Sequence, residues 1–134
     1  MKSQTTLRVR YEETDAMGVV YHGNYFTWFE IGRTELMRKY SMSYKEMESK
    51  KWFLPVVEAT CCYKSSARYD DEIIIESELH SSTDLYFDFT YVVLRKSDHK
   101  LLAEGKTRHV CVGENGRILT KATRSIKKQL FGVS

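Results

Sequence analysis

The stretch that decides the fold runs from residue 24 to residue 40 and reads NYFTWFEIGRTELMRKY. Its apolar and small residues recur every three or four positions, the spacing that places side chains on one face of an α-helix. The positions on this face are Tyr25, Trp28, Phe29, Gly32, Leu36 and Tyr40, with Phe26, Ile31 and Met37 widening it. A helix with so broad an apolar surface does not lie on one side of a protein, so we expect other elements to wrap around it.

The chain on either side of this helix has the composition of β-strands, rich in β-branched and aromatic residues. The expected strands are residues 5–11, 52–64, 71–80, 85–94 and 101–112. Residues 81–84 and 96–100 are short enough to form hairpins, which predicts a mostly antiparallel sheet. Shorter helices are expected at residues 43–49 and 122–131.

This order of elements predicts an α+β fold in which one antiparallel sheet covers a single central helix. One helix cannot cover both faces of the sheet. The uncovered face, or an edge strand, would then pair with another copy of the chain, so we expect a homodimer or homotetramer.

The composition narrows the class of protein. The chain has 134 residues, with 21 basic and 18 acidic residues and a net charge of +3, which predicts one globular domain over residues 1–134 and argues against a nucleic-acid partner. No apolar run approaches the roughly 18–20 residues that span a bilayer, which argues against membrane insertion. Three cysteines, two of them neighbours, and a polar N-terminus predict a reduced, cytoplasmic protein.

The segment that can carry chemistry is residues 11–25, YEETDAMGVVYHGNY, which joins the first strand to the long helix. Gly18 and Gly23 allow tight turns, and the first N–H groups of a helix have no partner within it. Such donors can stabilise a developing oxyanion, and Asp15 lies a loop's length away from them. Spacing alone leaves a second interpretation open, in which Asp15 and Thr14 are only turn or cap residues.

The same segment resembles a family signature. TDAMGVVYHGNY at residues 14–25, followed by FE at residues 29–30 and RTE at residues 33–35, is similar to the motif of acyl-CoA thioesterases of the 4-hydroxybenzoyl-CoA thioesterase family, in its YbgC-like branch. Residues 67–71 and 103–105 also match the family pattern. The resemblance implies a hotdog fold, in which an antiparallel sheet wraps one long helix and two subunits join their sheets edge to edge.

The resemblance also implies roles for individual residues. Asp15 would be the catalytic carboxylate, acting as general base on water or as nucleophile, and the backbone N–H of His22 would polarise the thioester carbonyl. The residues implied to contact the substrate are Met17, Gly18, Tyr21, Asn24 and Tyr25. Two features depart from the family pattern, because Met17 stands where many members carry Gly, and Ser65 and Ser66 stand where a Pro is usual.

Three further residues are candidates for roles in the site. Lys64 and Arg68 have the charge to bind coenzyme A phosphates, and Glu58 lies mid-strand where some hotdog enzymes use a Glu from the opposing subunit. The four histidines lack the spacing of a zinc site, and the three cysteines are interpreted as small apolar side chains. Neither a metal nor an organic cofactor is therefore expected.

The sequence thus predicts a homo-oligomeric enzyme that hydrolyses a fatty or aromatic acyl-CoA to the free acid and coenzyme A. A base and an oxyanion site suffice, because the thiolate of coenzyme A is a good leaving group. Two alternatives stay open. One is a hotdog hydratase or dehydratase, in which His22 acts with Asp15 or Glu58, and the other is a non-catalytic module that binds acyl-CoA or acyl-carrier protein.

Overall fold

The computed structural model describes residues 1–80 and 85–132, so the hairpin predicted at residues 81–84 lies outside the described residues. The strands are β1 (Lys2–Arg8), β2 (Val56–Tyr63), β3 (Glu72–His80), β4 (Phe87–Arg95) and β5 (Leu101–His109). The helices are α1 (Asn24–Lys39), α2 (Tyr44–Ser49) and α3 (Thr120–Phe131), and a 3-10 turn covers Tyr11–Glu13. The predicted α+β class and the predicted order of elements are both confirmed.

The strands form one sheet in the order β1-β3-β4-β5-β2 over the described residues. Each neighbouring pair is antiparallel, as the short connections predict. Ile75 in β3 is opposite Thr5 in β1 on one side and Val93 in β4 on the other. The two edges of the sheet are therefore β1 and β2.

Helix α1 packs across the inner face of this sheet, as its broad apolar surface predicts. The fully buried core includes Trp28, Phe29, Leu36 and Met37 from α1 and Ile73, Ile75, Phe87, Phe89, Tyr91 and Val93 from the strands. The Phe29 ring stacks on the Tyr91 ring with centroids 4.4 Å apart. Two glycines let α1 approach the sheet closely. A Cβ on Gly32 would collide with Ser77, and a Cβ on Gly105 would collide with Phe29.

Some element ends differ from the sequence prediction. Strand β1 ends at Arg8, because the chain turns there and the Glu13 N–H donates to the Arg10 carbonyl at 3.0 Å. Strands β2 and β5 are shorter than expected, because Phe53 and Val112 meet only in an isolated bridge beyond the paired strands. Of these differences, the turn after β1 has the largest effect on the site, since it brings the chain back toward the start of α1.

The terminal helix α3 is confirmed and is amphipathic. Ala122, Ile126 and Leu130 are buried, and the Lys127 ammonium donates to the Tyr86 carbonyl oxygen at 2.8 Å. No helix within the described residues, α3 included, is long and apolar enough to cross a membrane.

A second region of the core is polar, and we call it the buried polar cluster. It consists of Arg33, Tyr44, Tyr91, Thr107 and His109. His109 contacts the Leu54 carbonyl oxygen through Nδ1 at 2.9 Å and Thr107 Oγ1 through Nε2 at 2.8 Å. Because a carbonyl only accepts, Nδ1 carries the proton and Nε2 accepts the Thr107 hydroxyl. Thr107 Oγ1 then accepts the Tyr91 hydroxyl at 2.6 Å.

The cluster holds its histidine neutral. Burial lowers the pKa of His109 from 6.5 to about 4, which agrees with the hydrogen-bond directions. Arg33 is 9% exposed, and its Nε donates to the Tyr44 hydroxyl at 3.2 Å. The cluster therefore fixes α1 and α2 against the sheet through directed hydrogen bonds.

Candidate active site

The segment between the 3-10 turn and α1, residues 14–23, folds into a compact structure that we call the loop. Its two arms meet in an isolated bridge between Thr14 and Val20. At its tip, the Asp15 N–H donates to the Val19 carbonyl, and the Gly18 N–H donates to the Asp15 carbonyl, each at 2.9 Å. Gly18 has a φ of 79°, a left-handed conformation that L residues rarely adopt. The turn that presents Asp15 thus depends on glycine.

Asp15 is half-buried and keeps one carboxylate oxygen free. Its Oδ1 accepts the backbone N–H of Met17 at 2.9 Å, which orients the side chain. Its Oδ2 has no hydrogen-bond partner among residues 1–80 and 85–132. A held carboxylate with an open oxygen can accept a proton from water or attack a carbonyl carbon.

The N-terminus of α1 supplies backbone donors, and one of the residues that offers them, His22, lines the same pocket as Asp15. The N-cap residue is Gly23, which has no side chain that could cap the helix. The Asn24 N–H donates to the Tyr21 carbonyl at 3.0 Å, and the Tyr25 N–H donates to the His22 carbonyl at 3.3 Å. In the part of the chain that the structure describes, the N–H groups of His22 and Gly23 have no acceptor. The helix start therefore offers two free donors at its positive end.

Glu13 holds the loop in place through hydrogen bonds. The sequence analysis did not predict this role. Its buried carboxylate accepts the Arg10 N–H on Oε1 at 2.8 Å and the Trp28 indole N–H on Oε2 at 2.9 Å. Its carbonyl oxygen accepts the Tyr21 N–H at 2.9 Å and the Asn24 side-chain amide at 2.8 Å. Glu13 thus joins the 3-10 turn, the end of the loop and α1. The glutamate directly before it in the sequence is exposed, so residue type alone does not reveal this role.

A pocket of about 290 Å³ opens where the loop meets the end of β2. Its lining residues are Asp15, Val19, Val20, His22, Tyr25, Tyr63, Lys64, Ser65 and Ser66. The Tyr63 hydroxyl donates to the His22 carbonyl oxygen at 2.9 Å. Burial, and then the neighbouring Cys61, raise the pKa of Tyr63 to about 12. Sequence reasoning also missed Tyr63, because one aromatic residue at a strand end has the pattern of an ordinary core residue.

The structure brings part of the predicted site together in this pocket. Of the residues predicted from the sequence, Asp15, His22, Tyr25 and Lys64 line it. Gly18 and Asn24 shape the loop without lining the pocket. The Tyr21 ring lies 4.4 Å from the His22 ring, and Met17 is 82% exposed at the tip of the loop.

Of the three further candidates, Glu58, Lys64 and Arg68, two lie outside the pocket. Glu58 is exposed in β2 and pairs in register with Arg108, whose guanidinium binds Asp88. Arg68 is exposed, and its backbone forms a bridge with Val19 at the base of the loop. Within one chain, neither side chain joins Asp15 and His22.

Larger grooves exist elsewhere on the surface. One, of about 610 Å³, lies between α2 and the segments before β2 and after β5, and another, of about 620 Å³, lies beside β1. Volume alone does not define a site for chemistry. The smaller pocket is the one lined by both Asp15 and His22, whose backbone N–H is free among the described residues.

Comparison with known proteins supports the same interpretation. A model of the thioesterase-like superfamily matches residues 9–130. The acyl-CoA thioester hydrolase YbgC of Escherichia coli O6:H1 is 35% identical over 106 residues, covering 79% of this chain and 78% of that protein. A crystal structure of a hypothetical protein from Aquifex aeolicus superposes with a TM-score of 0.87 at 30% identity, covering 96% of this chain and 98% of that one. A DHNA-CoA thioesterase from Staphylococcus aureus gives a TM-score of 0.85 at 28% identity, with coverage of 98% and 93%.

Proposed function

This chain belongs to the thioesterase-like superfamily and is an acyl-CoA thioester hydrolase, and we propose that it releases a fatty or aromatic acid and coenzyme A using Asp15 and the His22 backbone N–H. The homology favours hydrolysis over the hydratase and binding-module alternatives. Cys61, Cys62 and Cys111 are free thiols, which supports the proposed cytoplasmic location.

The observation that carries this proposal is the meeting of two unsatisfied groups in one pocket. Among the described residues, one carboxylate oxygen of Asp15 and the backbone N–H of His22, at the start of α1, have no hydrogen-bond partner. Both residues line the 290 Å³ pocket. Hydrolysis of a thioester needs this pair, because one group activates the attacking oxygen and the other stabilises the charge that develops on the carbonyl oxygen.

Two routes use the same groups. As a base, Asp15 takes a proton from water, the hydroxide attacks the carbonyl carbon, and the His22 N–H stabilises the tetrahedral oxyanion until it expels the coenzyme A thiolate, which takes up the proton from Asp15. As a nucleophile, the Asp15 carboxylate attacks the carbonyl carbon directly and expels the thiolate. Water then hydrolyses the resulting anhydride. In both routes the products are a carboxylic acid and a thiol.

The lining of the pocket suits an apolar acyl group with a charged carrier. Val19, Val20 and the rings of Tyr25 and Tyr63 provide apolar contacts, which supports a fatty or aromatic acyl group. Lys64 is an exposed cation on the same pocket, and we propose that it contacts a phosphate of coenzyme A.

We propose that the enzyme is a homodimer or homotetramer whose subunits meet at the free edge of β2. This edge exposes apolar side chains, with Val56 43% and Val57 53% exposed, whereas the other edge strand reads KSQTTLR. Exposed apolar edge strands invite pairing with another chain. A two-fold antiparallel pairing would place the Tyr63 end of each β2, with its pocket, near the start of the partner's β2.

The catalytic proposal is tested by Asp15→Asn with a panel of acyl-CoA substrates, following thiol release. The variant should fold and oligomerise normally and lose a factor on the order of 10²–10⁴ in turnover. Asp98→Asn is a matched control, because Asp98 Oδ1 accepts the N–H of Lys100, two residues later, as Asp15 does with Met17. A loss below about tenfold in Asp15→Asn would mean that neither route operates.

The oligomer is tested by sedimentation at micromolar concentration. Wild type should sediment as a dimer or larger, and Val57→Asp should shift the protein toward monomer, because it places a charge on the β2 edge. A wild-type monomer with full activity would rule out the shared edge.

A further inference from the structure

Tyr63 is the last residue of β2, and its contacts join that strand to the start of α1. Its ring packs edge-on against the Tyr25 ring, with centroids 5.1 Å apart, and against the His22 ring at 6.2 Å. Its hydroxyl donates to the His22 carbonyl oxygen at 2.9 Å. A hydroxyl at the pocket wall therefore bonds directly to the backbone of the residue that offers the free N–H.

The His22 carbonyl is held weakly by the helix itself. The N–H of Tyr25 also donates to it, at the longer distance of 3.3 Å, and the N-cap residue, Gly23, has no side chain that could cap the helix. Because the peptide unit is planar, a bond to the carbonyl of His22 also fixes the direction of the Gly23 N–H on the same plane. It further restricts the ψ angle of His22, and with it the direction of the His22 N–H relative to that peptide plane.

The hydrogen bond also strengthens one of these donors, the Gly23 N–H, which belongs to the same peptide unit as the His22 carbonyl. A donor on a peptide carbonyl polarises the peptide and strengthens hydrogen bonding by its N–H group. In the described part of the chain, the His22 and Gly23 N–H groups have no acceptor of their own. They are thus available to a substrate, and their direction depends on what holds the carbonyl.

We propose that Tyr63 is a positioning residue for the thioesterase reaction, whose hydroxyl holds the His22–Gly23 peptide so that its neighbouring N–H groups point at the thioester carbonyl oxygen. This inference rests on the proposed function. Tyr63 acts through His22 and exchanges no proton with the substrate. Its hydroxyl remains protonated over the pH range of an ordinary assay, because its pKa is raised to about 12.

The first test is Tyr63→Phe, which keeps the ring contacts and removes only the hydroxyl. Removing a direct oxyanion donor costs roughly 10²–10³ in kcat, so loss of a group that positions such donors should cost about 5- to 50-fold. KM should change less than about twofold, since ground-state binding is not the interaction removed. Tyr69→Phe is the control, because Tyr69 is exposed, packs against Tyr11 and lies outside the pocket.

Three readouts separate positioning from a merely structural role. In the Asp15→Asn background, the carbonyl stretch of a bound ¹³C-labelled thioester should move to higher wavenumber when Tyr63→Phe is added, because the carbonyl is less polarised. The pH profile of kcat should keep its shape, since the phenol that is removed does not titrate over the pH range of an ordinary assay. Incorporation of p-aminophenylalanine at position 63 restores a donor and should recover most of the lost kcat.

The inference and the proposed function can fail separately. If Tyr63→Phe keeps wild-type kcat, or if the bound carbonyl stretch does not move, the positioning role is wrong, whatever Asp15→Asn shows. If Tyr63→Phe changes the shape of the pH profile, Tyr63 takes part in proton transfer and the role is again wrong. If Asp15→Asn is fully active while Tyr63→Phe is slow, with KM and the shape of the pH profile unchanged and kcat rescued by p-aminophenylalanine, the positioning role stands and only the role of Asp15 fails. Should Tyr63→Phe lower thermal stability, the stretch and the p-aminophenylalanine rescue still decide the question on folded protein.

Discussion

The loop and the buried polar cluster are both rich in hydrogen-bonding groups, yet they treat those groups in opposite ways. In the cluster, a chain of directed bonds runs from the Leu54 carbonyl through His109 and Thr107 to Tyr91. In the loop, Asp15 leaves a carboxylate oxygen open, and the His22 N–H has no acceptor among the described residues. The cluster uses its polar groups to stabilise the fold, whereas we propose that the loop uses its free groups to bind the substrate.

Burial explains this difference. A buried polar atom without a partner costs about 1–3 kcal/mol, so the interior tolerates Arg33 and His109 only as parts of a bonded network. The loop lies at the surface, where water satisfies its free groups until a substrate replaces it. Mutations in the cluster should therefore change stability and leave turnover largely intact, whereas removal of the free polar groups of the loop should lower turnover and leave stability largely intact.

Glu13 gives the largest expected change, because it lies beneath the loop but is bonded like a residue of the cluster. In Glu13→Gln, the Arg10 N–H and the Trp28 indole N–H would compete for one amide oxygen, and one of them would face an NH₂ group. We expect a loss of about 1–3 kcal/mol in the free energy of unfolding, measured by urea denaturation. Glu12→Gln should change little, since Glu12 is exposed and its ion pair with Arg10 joins two exposed side chains. Unchanged stability with abolished turnover would make Glu13, and not Asp15, the working carboxylate.

Two glycines with the same backbone conformation test whether the loop differs in function from another turn of the chain. Gly18 in the loop and Gly116 in the hairpin after β5 have φ values of 79° and 77°, with open space around both. Alanine at either position should cost about 1–2 kcal/mol of stability through backbone strain. Only Gly18→Ala should also lower turnover, by about tenfold, because it displaces the turn that holds Asp15. Equal turnover in the two variants would show that the loop geometry is not needed for chemistry.

His109 makes the cluster sensitive to acid. The unfolded chain binds a proton at this histidine below pH 6.5, while the folded protein does not until about pH 4. Stability should therefore fall as pH decreases through this window, by up to about 1.4 kcal/mol per pH unit. Urea denaturation at several pH values should show a flatter dependence for His109→Gln than for wild type, with exposed His99→Asn unchanged from wild type. A wild-type protein that gained stability toward pH 4 would contradict the neutral assignment of His109.

The sequence predicted the architecture well because one segment dominates it. The apolar face of residues 24–40 requires a covering sheet, and the alternation in β3 and β4 shows which side chains cover it. Within the site, the motif pointed to Asp15 and His22. Glu13 and Tyr63 could not be predicted, because their roles depend on contacts between residues far apart in the chain, such as Tyr63 with His22.

Lys64 should give the smallest effect, because it is an exposed cation at the rim of the pocket. If it contacts a coenzyme A phosphate, Lys64→Gln should raise KM for acyl-CoA about twofold to fivefold, the size expected of an exposed ion pair. A short thioester without phosphates should show no such rise, and added salt should remove the difference by screening the charge. Lys45→Gln, on the exposed side of α2, is the matched control. An equal rise in KM for both thioesters would instead place Lys64 beside the acyl group, and the loop would then bind the substrate through its reacting end alone.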